Sequence, residues 1–375
     1  MRNIFILLFT LCFVMCAPRQ SDNTISVDLD HPEKASLFDY FSSIELIPLE
    51  TSSDALVQAL TKVVEHEDKY YALDKPQCLI FVFDKAGKFL YKIGTKGQGA
   101  GEYAFISDFN INPFSGNLEI LEPYGRIHVY SLLGDFIETK RISYPEFKVA
   151  HSLAALDNDI YVSHSLFEPK KIAYFDLNKQ ELLHEEFEED MAIGSYSQIP
   201  YQYKDEWFFY RPFHPIVYKI GKKQLEASFK FDSGKYTKDG RTAVLSQEAK
   251  KNFTKNKEEM YAQFSYMIQA VRHNDKYIFA SVLWKDNDHR ANIIYDKSTG
   301  KSKYIIEFDE KVWFNSYRGE EIIVTDQYAM MPIQWVDLEK RVTKEMLNDK
   351  QQIILEKLLQ ADREQNPILI KYWFK

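Results

Sequence analysis

The chain is poor in cysteine, glycine and proline, and it carries no surplus of positive charge. Three cysteines in 375 residues, at positions 12, 16 and 78, are too few for a disulfide framework. The 14 glycines and 13 prolines exclude collagen-like repeats and linker-like low complexity. Lysine and arginine total 47 against 55 aspartates and glutamates, a net charge of −8. No basic footprint for a phosphate backbone is present, so nucleic acid is excluded as a partner. Beyond residue 15 no apolar run approaches the roughly 20 residues that a membrane-spanning helix needs. His-Glu-x-x-His and Gly-x-Ser-x-Gly patterns are missing as well, which leaves nucleophilic hydrolysis without sequence support.

Aromatic residues are abundant, with 24 Tyr and 27 Phe, and tilt the chain toward β-structure. The amino terminus reads as an address. Arg2 precedes an apolar run from Ile4 to Met15, about twelve residues, which is the length of a signal-peptide core. Cys16 follows, and then the polar stretch Ala17-Pro-Arg-Gln-Ser-Asp-Asn23. This junction resembles a bacterial lipoprotein signal, in which the cysteine becomes the lipidated first residue of the mature chain. Met15 stands where that signal usually has a small residue, and ordinary secretion with cleavage nearby is the alternative. The expected organisation is a signal peptide at 1–15, a lipid anchor on Cys16 with a tether to residue 40, and one domain from 41 to 375. With Cys16 lipidated, Cys78 stands alone in Cys78-Leu-Ile-Phe-Val-Phe83 and is expected to be a buried core thiol.

A unit then repeats. A turn rich in Asp, Asn, Gly or Lys leads into a short aromatic strand, starting at 67, 115, 157, 204, 274 and 318. The separations of 48, 42, 47, 70 and 44 match a four-stranded propeller blade except at one gap. A second strand follows in most copies, as in Ile80-Phe-Val-Phe-Asp84, Ile127-His-Val-Tyr-Ser131 and Ile172-Ala-Tyr-Phe-Asp176, and each ends in a hairpin turn. The long gap holds an insertion at about 233–265 with helical, charged composition. A second helical segment, about 343–365, places Met346, Ile353, Ile354, Leu358 and Leu359 on one stripe. The early Ile44-Glu-Leu-Ile-Pro-Leu49 and the terminal Ile368-Leu-Ile-Lys-Tyr-Trp-Phe374 are expected to complete the closing blade, because a ring of sheets must leave no open edge. The fold class is therefore all-β, a six-bladed propeller of four-stranded antiparallel blades.

Ile93-Gly-Thr-Lys-Gly-Gln-Gly-Ala-Gly-Glu-Tyr103, with Ile47-Pro-Leu-Glu50, Arg211-Pro-Phe213 and Asn366-Pro-Ile-Leu369, resembles the six-bladed β-propeller lipoproteins of gut anaerobic bacteria, relatives of NHL-repeat propellers. The resemblance covers about residues 40–375 and departs at Ala100, where the family commonly has proline. It implies the propeller fold and an envelope address, and no particular activity.

Seven residues stand out as candidate ligand contacts. Gly97, Gly99 and Gly101 lack dinucleotide or phosphate-loop spacing and are expected to make a tight inter-blade connection with positive φ, anchored by Glu102 and Tyr103. His151 and His164 flank one blade, and His214 lies near Arg211 in the next. Arg211 offers a planar fork for an acidic group, or for a protein carboxylate. Trp284 offers a platform for a sugar ring. No cofactor is expected, though a channel metal held by such histidines is one possibility. The sequence points to a noncatalytic envelope lipoprotein, periplasmic or on the cell surface, that binds a glycan, a peptide or a partner protein through propeller loops. The alternative is a propeller lyase or hydrolase with a metal in the central channel; the fold hosts both classes.

Overall fold

The computed structural model describes residues 23–142, 150–165, 170–188, 200–211, 214–236, 266–284, 290–310, 322–361 and 365–375. Six antiparallel sheets are arranged as the blades of a propeller. From the innermost strand outward, blade 1 is Leu60–His66, Lys69–Asp74, Leu79–Asp84 and Phe89–Ile93. Blade 2 is Asp108–Ile111, Leu118–Leu121, Arg126–Tyr130 and Phe136–Arg141, and blade 3 is Ser152–Ala155, Ile160–His164, Lys170–Asp176 and Glu181–Glu188. Blade 4 is Tyr201–Tyr203, Glu206–Tyr210, Ile216–Ile220 and Leu225–Asp232, and blade 5 is Tyr266–His273, Tyr277–Trp284, Arg290–Asp296 and Lys301–Phe308. Blade 6 joins both ends of the chain: Ile323–Val324, Tyr328–Ile333 and Ile368–Phe374 are completed by Phe41–Pro48.

The second strand of each blade is an almost unbroken apolar run, such as Tyr70-Tyr71-Ala72-Leu73, because both faces pack against neighbouring blades. The repeating unit read from the sequence therefore begins on each blade's second strand. Its sixth copy was misplaced. Ile323–Val324 is the innermost strand of blade 6, and the counterpart of Lys69–Asp74 is Tyr328–Ile333. The innermost strands were missed because several have only two to four residues, too few to show a period.

Two further differences concern the ends. Residues 24–35, expected in the tether, supply Thr24–Ser26 and Glu33–Ala35 as parallel fifth strands on the outer edges of blades 4 and 5. Ile25 and Ala35 are buried there, and the two edges are covered. The helical region after blade 6's second strand forms α1 (Trp335–Arg341), a 3₁₀ turn at Lys344–Met346, and α2 (Asp349–Gln360). Asn348 caps α2 by accepting from the Gln351 backbone N–H at 3.0 Å. That start sets the buried face to Gln351, Leu355 and Leu358, while Ile353 and Leu359 are exposed, so the stripe assigned from the sequence was partly wrong. The helical insertion expected at 233–265 lies outside the described residues beyond Tyr236. Cys78 is buried, its thiol donating to the Ala104 carbonyl at 3.2 Å, and burial raises its pKa.

Asn366 locks the closure. It is buried, and its amide donates to the carbonyls of Glu50 (2.7 Å) and Ala55 while its carbonyl accepts from the Val57 N–H at 2.8 Å. Its own N–H donates to the Thr51 hydroxyl at 2.9 Å. One side chain thus ties the entry to the last strand onto the connection into blade 1. Replacing Asn366 by Ala strands these buried groups, and we expect a loss of about 1–3 kcal/mol in urea unfolding with an unchanged fold by circular dichroism.

Candidate functional site

Strands in each blade alternate in direction. The second connection of every blade therefore lies at the same end of the ring as the passages between blades. Arg211, His164, His151 and His214 all fall at that end, at the seam between blades 3 and 4. There the structure does bring them together. The Arg211 Nη1 lies 3.5 Å from the His164 Nε2, the His214 N–H donates to the Arg211 carbonyl at 3.1 Å, and the His151 N–H donates to the His164 carbonyl at 2.9 Å. Arg211, His164 and His214 are buried, with Arg211 at 0 % exposure, and the His164 ring packs at 5.7 Å from Phe209. The three therefore lie within the packed seam between blades 3 and 4.

Glu102 and Tyr103 occupy a different seam, between blades 1 and 2. The Glu102 carboxylate accepts from the Gln98 and Gly99 N–H groups at 3.0 and 2.9 Å, closing the Gly-rich loop on itself. Of the three loop glycines singled out in the sequence, only Gly101 has a positive φ, at +75°; Gly97 and Gly99 make room for Glu102 instead. Tyr103 is fully buried with its ring 5.4 Å from His128, and its hydroxyl has no hydrogen-bond partner among the described residues. A Cβ at Gly94, where φ is +99°, would overlap that hydroxyl. Trp284 ends the second strand of blade 5 opposite Tyr266; its side chain, like Cys16, lies outside the described residues. Among the described residues no three His, Cys, Asp or Glu side chains are grouped to hold a metal.

The sequence pointed to a central channel but not to the residues that wall it. About 140 Å³ of space, partly open to solvent, is walled by the inner strands of blades 1, 2, 4, 5 and 6 together with Trp207. Lys62, Glu65, Asn110, Gln202 and Arg272 bring polar groups to it, beside Tyr201 and Trp207. Lys62 is buried and paired: its ammonium donates to Asp108 at 2.9 Å and Asn110 at 2.8 Å. Asn110 in turn donates to the Leu153 carbonyl at 2.5 Å, so the three inner strands of blades 1 to 3 are cross-linked around the channel. Glu65 accepts from Lys85 and the Tyr328 hydroxyl, with Lys371 at 3.7 Å; Lys371 sits 4.0 Å over the Tyr328 ring, and burial lowers its pKa. Arg272 is buried, its Nε donating to the Ile322 carbonyl at 2.9 Å and its Nη1 to the Val271 carbonyl at 2.8 Å, with the guanidinium 4.8 Å over the Tyr201 ring. These residues sit inside otherwise apolar strands, and the only signal for them in the sequence is a charge where a core residue is due.

His273 follows Arg272 and is held at 2.8 Å from the Tyr201 hydroxyl, among the rings of Tyr203, Phe208 and Phe229. Burial, Lys297 and Arg272 push its pKa down to about 3, against weaker opposing effects of Asp275 and Asp326.

The architecture defines the class: a six-bladed β-propeller closed by its own two ends, with a polar channel. The chain belongs to the DUF4934 family, described as a domain of unknown function, whose model matches residues 22–372. In fold it is similar to a candidate exported protein of Bacteroides fragilis, at 20% identity and a TM-score of 0.70 over 94% of this chain and 99% of that one. It is also similar to a member of the DUF4221 family from Bacteroides vulgatus, at 13% identity and a TM-score of 0.55 over 89% and 97% of the two chains. No curated protein matches.

Two predictions follow from this geometry. Tyr103→Phe removes only an unpartnered hydroxyl and is expected to leave the melting temperature unchanged or raise it, whereas Gly94→Ala lowers stability by about 1–3 kcal/mol; a clear loss in Tyr103→Phe would show that the hydroxyl has a partner. His273 is neutral in the folded protein while the unfolded chain protonates below pH ~6.5. Stability contributed at this site is therefore fully present above pH ~6.5 and falls by about 1.4 kcal/mol per pH unit as pH drops from there toward 3. Denaturant titrations across that window should show His273→Gln with a correspondingly shallower slope.

Proposed function

We propose that the chain is a noncatalytic binding protein of the cell envelope, exported by residues 1–15, held to a membrane by lipid on Cys16, and recognising its ligand at the central channel of the propeller and the loops around it. The observation that carries the reading is the channel cavity, where Arg272, Gln202 and Trp207 stand at one concave, partly open surface. Glycan, peptide and partner protein are the ligand classes in view. The export reading rests on the signal-like amino terminus, and the Bacteroides fragilis protein of similar fold is itself a candidate exported protein. No helix among the described residues is long and apolar enough to cross a membrane, so attachment falls to the lipid in this reading.

Two measurements test the two halves. Metabolic labelling with radioactive palmitate is expected to mark the protein, with both label and membrane association lost in Cys16→Ser; an unlabelled, freely soluble wild type would overturn the anchor. Tryptophan fluorescence titrated with a panel of oligosaccharides and peptides is expected to change for at least one ligand class, with the change abolished in Trp207→Phe. A response that persists in Trp207→Phe would move recognition away from the channel.

A further inference from the structure

We infer that the channel contains a carboxylate subsite, built on Arg272 and Trp207, that takes a single uronic acid residue of an acidic glycan; the inference rests on the binding reading above and names its ligand chemistry. Arg272 is 6 % exposed, yet no carboxylate lies within ion-pair distance of it among the described residues. Its partners are two backbone carbonyls and the Tyr201 ring, which engage Nε and one N–H of Nη1. The guanidinium has five N–H donors, so hydrogen-bonding capacity remains at Nη1 and Nη2.

The contrast with the neighbouring cations is informative. Lys62 is matched by Asp108, and Lys85 and Lys371 share Glu65. Among the described residues, Arg272 is the cation of this wall left without a carboxylate partner. A buried charge lacking a counter-ion is costly unless something supplies one.

Trp207 lines the same cavity at 5 % exposure, so an aromatic residue stands beside the cation. The planar cationic fork calls for an anion, and a carboxylate matches it. A dianion such as phosphate is disfavoured because the single charge of Arg272 would balance only half of it, the Lys62 charge being taken up by Asp108. Volume limits the guest: a cavity near 150 Å³ encloses a molecule about the size of benzene, so a sugar ring enters this partly open site only in part, carboxylate first. The exposed Gln202 amide, which can both donate and accept, suits ring hydroxyls better than an apolar peptide side chain.

The test is titration of the full chain with sodium glucuronate, glucose, triglycine and inorganic phosphate, by calorimetry and tryptophan fluorescence. Glucuronate is expected to bind, and the other three to bind at least tenfold more weakly. Arg272→Met should weaken glucuronate at least tenfold while its melting temperature stays or rises, because an uncompensated buried charge is gone. Arg272→Lys keeps the charge without the fork and should fall between, which protects the test should the Met variant fold poorly. Glucuronate affinity unchanged in both variants, or no tighter than glucose in the wild type, overturns the inference. Should glucose or triglycine bind with a Trp207-dependent signal while glucuronate does not, the carboxylate subsite falls and the binding reading stands; should no member of the wider panel bind, both fall.

Discussion

Everything else in this molecule hangs on the pairing of Phe41–Pro48 with Ile368–Phe374. Six sheets with apolar faces on both sides are stable only if each face meets a neighbour, and a ring satisfies all of them only when it is closed. Here closure is made across more than three hundred residues of sequence, by a ladder running from Ile368 opposite Pro48 to Phe374 opposite Phe41. Asn366 adds side-chain hydrogen bonds at the point where that ladder meets blade 1. The outer edges of blades 4 and 5 are covered separately by Thr24–Ser26 and Glu33–Ala35.

Closure also creates the site. Only in a complete ring do inner strands from five blades face one cavity, and only there do Lys62, Glu65 and Arg272 leave water together. Two of the three are neutralised: Lys62 by Asp108 of blade 2, and Glu65 by Lys85 of its own blade with Lys371 of blade 6. The pairs with Asp108 and Lys371 act as polar stitches between blades. Arg272 is the exception, and the same wall that stitches the fold leaves one cation turned to backbone carbonyls and an aromatic ring.

Much of the fold was legible because propeller blades repeat a strong local signal. Apolar-aromatic runs such as Tyr70–Leu73 and Phe208–Tyr210, each preceded by a polar hairpin turn, stand out at regular spacing. The terminal strand and its partner at residues 44–49 were visible through the need to cover an edge. Inner strands of two to four residues carry no periodicity, so blade 6 was assigned one strand out of step. The Arg211 and histidine group was found from its residue types, and the structure gathers it, yet burial makes it part of the blade 3–4 seam. Lys62 and Arg272 escaped because a lone charge within a strand is ordinarily a solvent-facing residue. What makes them unusual is the opposite side of the ring, contributed by residues far away in sequence.

The most direct test of the account is difference electron density in the channel of crystals grown with glucuronate. The account predicts a carboxylate against the Arg272 Nη atoms, in the cavity that Trp207 helps to line. Density confined to the outer loops, or a protein carboxylate found paired with Arg272, would contradict it.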